Sequence, residues 1–331
     1  MSQNTQPRSA YRLTIDGQDI TGRVRPILSS LSISDRQRGE ADELEIRLDD
    51  TDGKIEIPRK GVVCRVAIGW EGQALVDKGA FVVDETGHEG PPDTVVIRAR
   101  SVDLTNQARN RRNRSWHQTT LGAVIRDLAA SQGLQPRISA DLAQIPVAHL
   151  DQVGESDVNL MTRLAKQHDA TATVKGRALI FLRIGKGTTA SGAALPGFTI
   201  ERSNCGRHNV TFADRDRFSG VHAEWHDKAS GTRKKVQVGD GKNSKGLRRV
   251  YHSESEARQH ADAEYRKHQR GEARMSVTLS RGDANLSAEM IGRARGWRPE
   301  IDSIRWLAAS VNHTLTGSGG FETTLELEKA P

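Results

Sequence analysis

Glu43-Leu44-Glu45-Ile46-Arg47-Leu48-Asp49-Asp50 decides the fold class. Its apolar residues fall on every second position and charges fill the alternates, the period of a strand with one buried and one wet face. Val63, Arg65 and Ala67 repeat the pattern. Working outward, residues 11–105 hold a succession of such segments: Tyr11–Ile15, Leu31–Asp35, Val62–Trp70, Ala80–Glu85 and Thr94–Ser101, with turn signals at Asp16-Gly17 and Asp52-Gly53. No helical spacing interrupts them, so the first 105 residues are expected to form an antiparallel sheet or small barrel.

The pattern changes near residue 106. Leu121, Val124, Ile125, Leu128 and Ala129 lie on one helical face, with Thr119 or Thr120 as cap and Gly133 as stop. Ser156 or Asp157 caps a second helix carrying Leu160, Met161, Leu164 and Ala165, followed by a hairpin of Thr171–Lys175, Gly176 and Ala178–Leu182. Residues 106–200 therefore read as a small α/β insertion, with 185–197 as a Gly-rich linker. Strands return in 201–331: Asn209–Phe212, Ser219–Trp225, Lys234–Val238, Met275–Ser280, Ile304–Leu315 and Phe321–Glu328. One helix near 254–270 interrupts them, opened by the capping-box pair Ser253 and Glu256. The stretch 281–303 is expected to be a turn-rich strand pair. Phe81–Ala99 and Ala309–Glu328 both place a Gly-rich turn between two alternating strands, an echo that predicts two related β regions with matching strand order.

The formal charge of +7 is uneven: residues 1–105 hold 14 Lys+Arg against 18 Asp+Glu, and residues 106–331 hold 35 against 24. Such asymmetry suits a nucleic-acid partner or acidic neighbours in an assembly. Aromatic content of 4% with 31 glycines favours short strands and turns over a helical bundle. Cys64 and Cys205 lie far apart and fit neither a disulfide framework nor a zinc ribbon. No secretory h-region and no run approaching about 18 apolar residues is found, so neither classical secretion nor a membrane-spanning helix is expected.

Several motifs invite chemistry. His222-Ala-Glu224-Trp-His226 places two imidazoles four residues apart with a carboxylate between, but on a strand and with no identifiable third ligand, so a polar strand face is the expected reading and no metal is assigned. Gly185-Lys-Gly-Thr-Thr and Gly241-Lys-Asn only faintly resemble phosphate loops and are read as turns. Arg109, Arg111, Arg112 and Arg114 beside Trp116 form the densest basic cluster, a candidate for phosphate contact and base stacking. No H-E-x-x-H, G-x-S-x-G or cysteine-nucleophile setting occurs. No catalytic residue and no cofactor are therefore assigned.

The order of particular segments resembles the phage late control D proteins, the tail hubs of contractile tails, which are related to the N-terminal part of VgrG spikes. The segments are Asp42-Glu43-Leu44-Glu45-Ile46 with Leu48-Asp49-Asp50, Ile68-Gly69-Trp70, Gly79-Ala80-Phe81-Val82-Val83-Asp84-Glu85 and Gly90-Pro91-Pro92-Asp93. They continue with Ser115-Trp116, Glu155-Ser156-Asp157 before Leu164-Ala165, Ser253-Glu254-Ser255-Glu256-Ala257, and His313 through Leu325-Glu326-Leu327. The resemblance implies a mainly β fold with an α+β insertion: two antiparallel β-barrel hub domains, at 1–105 and 201–331, and a small α/β domain at 106–200. It also implies a non-enzymatic homotrimer of pseudo-six-fold symmetry, assembled in the cytoplasm of a bacterial host and carried in a virion tail or tail-like particle. One face would meet the tail tube and the other the central spike and further baseplate components. Nucleic acid is not expected as the main ligand, nor is a membrane. The competing functions are a tail-associated peptidoglycan hydrolase and a basic nucleic-acid-binding protein. Interface residues are left unassigned.

Overall fold

The computed structural model describes residues 7–37, 42–101, 110–175, 177–189, 193–213 and 218–331. Residues 7–101 form β1 (Ser9–Ile15), β2 (Gln18–Asp19), the one-turn helix α1 (Thr21–Val24), β3 (Leu28–Arg36), β4 (Glu43–Asp49), β5 (Val63–Trp70), β6 (Val76–Glu89) and β7 (Thr94–Ser101). Leu44, Ile46 and Leu48 all turn inward, as their alternation requires, into a core with Leu31, Ile33, Phe81, Val95 and Ile97.

The insertion contains β8 (Arg111–Thr120), α2 (Leu121–Ser131), β9 (Gln135–Ile138), α3 (Ala140–Ala143), β10 (Pro146–Ser156), α4 (Asp157–His168), β11 (Ala170–Lys175) and β12 (Ala178–Arg183). Thr120 and Ser156 cap α2 and α4, accepting from the N–H groups of Ala123 and Asn159. The predicted apolar faces pack together, with Leu121, Val124, Ile125, Leu160 and Leu164 buried. Four elements go beyond the expectation: β8 and β10 pair as an antiparallel ribbon, β9 adds to β12 in parallel, and α3 is a single turn. Gly176 and residues 190–192 lie outside the described residues.

The C-terminal part holds β13 (Phe198–Glu201), β14 (Cys205–Phe212), β15 (Gly220–Asp227), β16 (Thr232–Gly239), β17 (Ser244–Tyr251), α5 (Glu254–Gly271), β18 (Ala273–Leu279), β19 (Ile291–Arg295), α6 (Pro299–Asp302), β20 (Arg305–Thr316) and β21 (Phe321–Lys329). Ser253 caps α5 by accepting from Glu256 N–H. With β15, β16 and β17, α5 makes a satellite layer with its own core of Val221, Ala223, Val236, Tyr251, Ala257 and Ala261. In 281–303 the expected strand pair is replaced by a turn, the single strand β19 and the one-turn α6. Glu289, in the left-handed region at φ 69°, bends the chain into β19.

Thirteen strands share one sheet among the described residues, running β14-β18-β21-β20-β3-β4-β7-β6-β5-β1-β2, with β13 and β19 attached beside β20. It contains two six-stranded units with the same plan. In chain order the first unit is β1, β3, β4, β5, β6, β7 and the second β13, β14, β18, β19, β20, β21. Both are arranged as first, fourth, fifth, sixth, third, second. The irregularities repeat as well. A bulge in β6 lies where Val83↔Ala99 gives way to Glu85↔Arg98, and one in β20 where Ala308↔Leu327 gives way to Ser310↔Glu326. Just before β5, Gly61 at φ 89° donates to Val83 O, as Glu289 donates to Ala308 O before β19. The echo between the two hairpins thus extends to strand order and register. The exception is the first strand, antiparallel to its neighbour in unit one and parallel in unit two. Among the described residues no strand pair closes either array into a full barrel.

The units are joined through β20. Its first residues pair with β19, and beyond the bulge Ser310–Thr316 pair with Arg36–Ser30 of β3. The tip of the β20–β21 hairpin thereby enters the first unit, where Leu315 and Phe321 join its core and Phe321 lies 5.3 Å from the Trp70 ring.

Candidate assembly surfaces

Among the described residues the arginine cluster is divided between the two faces of β8, with Arg111 on the exposed one. β8 alternates, so Arg112 and Arg114 turn inward toward Asp157, the fully buried first residue of α4. Arg114 pairs directly with its carboxylate, Arg112 stands 3.9 Å away, and the amides of Gln132 and Gln152 donate at 2.7 and 2.9 Å. Burial raises the Asp157 pKa, but these donors and Arg114 more than offset it and hold the carboxyl below its usual range. Trp116 donates to Asp127 at 2.9 Å and has the Arg114 guanidinium over its ring at 5.7 Å. Arg109 lies outside the described residues.

His222, Glu224 and His226 share the outer face of β15, as expected of a strand. His222 Nδ1 lies 2.9 Å from Ser244 Oγ and Glu224 pairs with Lys235 at 3.6 Å. Among the described residues no group of three or more His, Cys, Asp or Glu side chains is placed to hold a metal. Lys186 is tied to Asp141 at 2.8 Å and Gly185 N–H donates to Glu289 at 3.0 Å, so this glycine-rich segment is a structural tie. Cys64 and Cys205 are both buried, and burial pushes the Cys64 thiol up to about 11. A cavity of about 840 Å³ between the first unit and the insertion contains Asp35, Asp77 and His313 in its lining. Asp35 accepts from Ala288 N–H, Asp77 from Gly79 N–H, and both His313 ring nitrogens are engaged, by Thr323 Oγ1 at 3.0 Å and Leu286 O at 3.2 Å.

A junction that sequence reasoning missed fixes the insertion to the second unit. Asp169 follows α4 at φ 52° and receives both terminal nitrogens of Arg270, which is 1% exposed on α5. Glu328 of β21 stands 3.6 Å behind Arg270, and Arg266 3.7 Å from Asp169. Beside them Glu289 accepts from Thr171 Oγ1 at 2.8 Å, and burial pushes its carboxyl above the usual range. His168, His260 and Tyr251 stack in sequence alongside, at 6.0 and 4.6 Å.

What remains open is sheet edge. Among the described residues β14 pairs with β18 alone, most of its residues are exposed on both faces, and Phe212 at its end is 53% exposed. In β6, Val76–Val82 lie against β5, whereas among the described residues Glu85–Glu89 have β7 on one side and no strand on the other.

A molecule with occupied polar clusters and open strand edges has the features of an assembly component, and the comparisons agree. The model of the phage tail baseplate hub family matches residues 44–319. The chain belongs to that family. A probable baseplate hub protein of Escherichia phage 186 is 39% identical over 360 aligned positions, covering 96% of this chain and 92% of the relative. In fold, the chain resembles the 43 kDa tail protein of prophage MuSo2 from Shewanella oneidensis, with a TM-score of 0.69 at 17% identity, covering 97% and 98% of the two chains. It also resembles an Escherichia coli component of the type VI secretion system, with a TM-score of 0.61 at 12% identity, covering 96% and 77%. The baseplate hub is thus a virion tail component, and in fold it also resembles a chain of the Francisella PdpA-VgrG complex, with a TM-score of 0.59 at 6% identity, covering 98% and 58%.

Proposed function

We propose that this baseplate hub is a non-enzymatic homotrimer that joins the six-fold tail tube to the three-fold central spike. Its hub regions would be residues 1–105 and 201–331, with 106–200 as an insertion, and assembly would take place in the bacterial host cytoplasm. The observation that carries the reading is the repeated strand plan: three chains with two equivalent β units each supply six similar surfaces to one neighbour while retaining three-fold symmetry toward another.

Light scattering of the purified protein across a concentration series, alone and with its spike protein, tests this. The expected mass is three times 36.3 kDa, or a 3:3 complex once the spike is added. A chain that stays monomeric and ignores the spike overturns the reading. Clearing of a cell-wall suspension would favour a hydrolase instead, and salt-sensitive binding to DNA a nucleic-acid protein; neither is expected.

A further inference from the structure

We infer that the open edge of β14 in one copy pairs with Glu85–Glu89 of β6 in the next, closing the ring through a continuous sheet. The inference rests on the trimer proposed above and adds its interface and register. In each unit the fifth strand changes neighbours at its bulge. In unit two, β20 leaves β19 at Ala309 and takes up β3, the second strand of unit one. In unit one, β6 leaves β5 near Asp84 and takes up no strand among the described residues. The second strand of unit two, β14, correspondingly has one side without a partner among the described residues. The junction made inside the chain is therefore left half-built at both ends, and a second copy supplies each missing half.

The repeat fixes the register. Val210 of β14 faces Met275, and Met275 faces Leu327 of β21; Ile33 of β3 faces Leu44, and Leu44 faces Ala99 of β7. Because Leu327 and Ala99 occupy the same place beside their bulges, Val210 corresponds to Ile33 and His88 to His313. Ile33 pairs with His313 within the chain, so His88 pairs with Val210 between chains, Gly87 with Thr211 and Thr86 with Phe212. Ala213 N–H bonds to Glu272 O across β18, so the backbone groups of Thr211 and Asn209 point toward β18 while those of Val210 and Phe212 point to the vacant edge. An exposed strand edge with unpaired backbone groups is a template for another strand. The same contact covers the Phe212 side chain. Because β6 and β14 are different surfaces, the contact is head-to-tail rather than two-fold, the kind that closes into a ring at the three-fold rotation proposed above.

A cysteine pair tests the register. Gly87↔Thr211 would be a non-hydrogen-bonded antiparallel pair with Cα atoms about 4.5 Å apart, within disulfide reach, and a Cβ at Gly87 meets nothing within 4 Å. The expected result is that G87C/T211C, oxidised under the conditions of the mass measurement with the spike protein present, runs on a non-reducing gel as covalently linked chains up to a trimer. Each single variant and the offset pair E85C/T211C should remain one chain wide. A wild-type trimer whose G87C/T211C form does not cross-link overturns the β6–β14 pairing and leaves the trimer standing. A monomeric wild type removes both. Cross-linking of T211C alone into a two-chain species overturns the inference in favour of β14–β14 pairing.

Discussion

Unit one carries its ion pairs outside: Arg98 of β7 reaches Glu45 at 2.8 Å and Glu85 at 2.6 Å, and the three side chains are 44%, 32% and 59% exposed. Unit two uses the same strand plan, and where it meets the insertion the charge is buried: Arg270 of α5, at 1% exposure, grips Asp169 of the insertion with Glu328 of β21 behind it. The difference follows from what each unit supports. Unit one presents a solvated face, on which long charged side chains exchange water for one another at little net gain. Unit two must hold the insertion in one orientation. A desolvated bidentate pair does this strictly, because any other arrangement strands a charge.

The largest expected effect tests the buried side. Arg270→Ala leaves Asp169 buried without its main partner and should lower unfolding stability by about 3–5 kcal/mol, read from the urea midpoint; a loss like that of a surface change would erase the contrast. Acid should act next. Burial, reinforced by His260, Arg183 and Arg266, lowers the His168 pKa to about 4 from 6.5, so the unfolded chain binds the proton first. Stability is full above pH 6.5 and falls as pH drops toward 4, by about 3 kcal/mol for this group. His313, lowered to about 3 by burial, acts in the same direction, whereas the raised carboxyl of Glu289 opposes them. Denaturant unfolding at pH 7 and 4.5 should show the loss, and His168→Gln should reduce it.

A smaller effect separates the equivalent left-handed positions. Gly61→Ala meets no atom within 4 Å and should cost only its backbone strain, roughly 1–2 kcal/mol, read from the thermal midpoint. Glu289 accepts the same strain and retains its carboxylate for Thr171 and Gly185. Last, Arg98→Ala on the exposed ladder should cost under about 1 kcal/mol, and the cost should shrink as salt is added. A loss at Arg98 equal to that at Arg270 would mean that burial is not what distinguishes the units.

Unit one was legible because Leu44, Ile46, Leu48 and their neighbours alternate cleanly, and α2, α4 and α5 because their caps and apolar faces agree. The hairpin echo pointed to the duplication. β8 was not legible: its inward positions carry Arg112 and Arg114, half-buried beside Asp157 of α4, and no local period reveals such a partner. β17 was assigned no element, because Lys245, Arg248 and Arg249 leave its segment without a clean apolar alternation. Arg270 is one charge among many on α5, and only Asp169, 101 positions away, marks it as buried. The joining of the units was invisible because it rests on register between strands at opposite ends of the chain.

That joining bears on how the chain is made. Ser34 of β3 and Asn312 of β20, hydrogen-bonded at 2.9 Å, are 278 positions apart. At a ribosomal pace of about 5–20 residues per second, β3 emerges roughly 15–55 s before the strand that completes it. During that interval the nascent chain exposes a strand edge that the finished protein keeps covered. The final hairpin is thus a late closure, and a ribosome that stalls before Arg305 releases a chain whose first unit still lacks its neighbour.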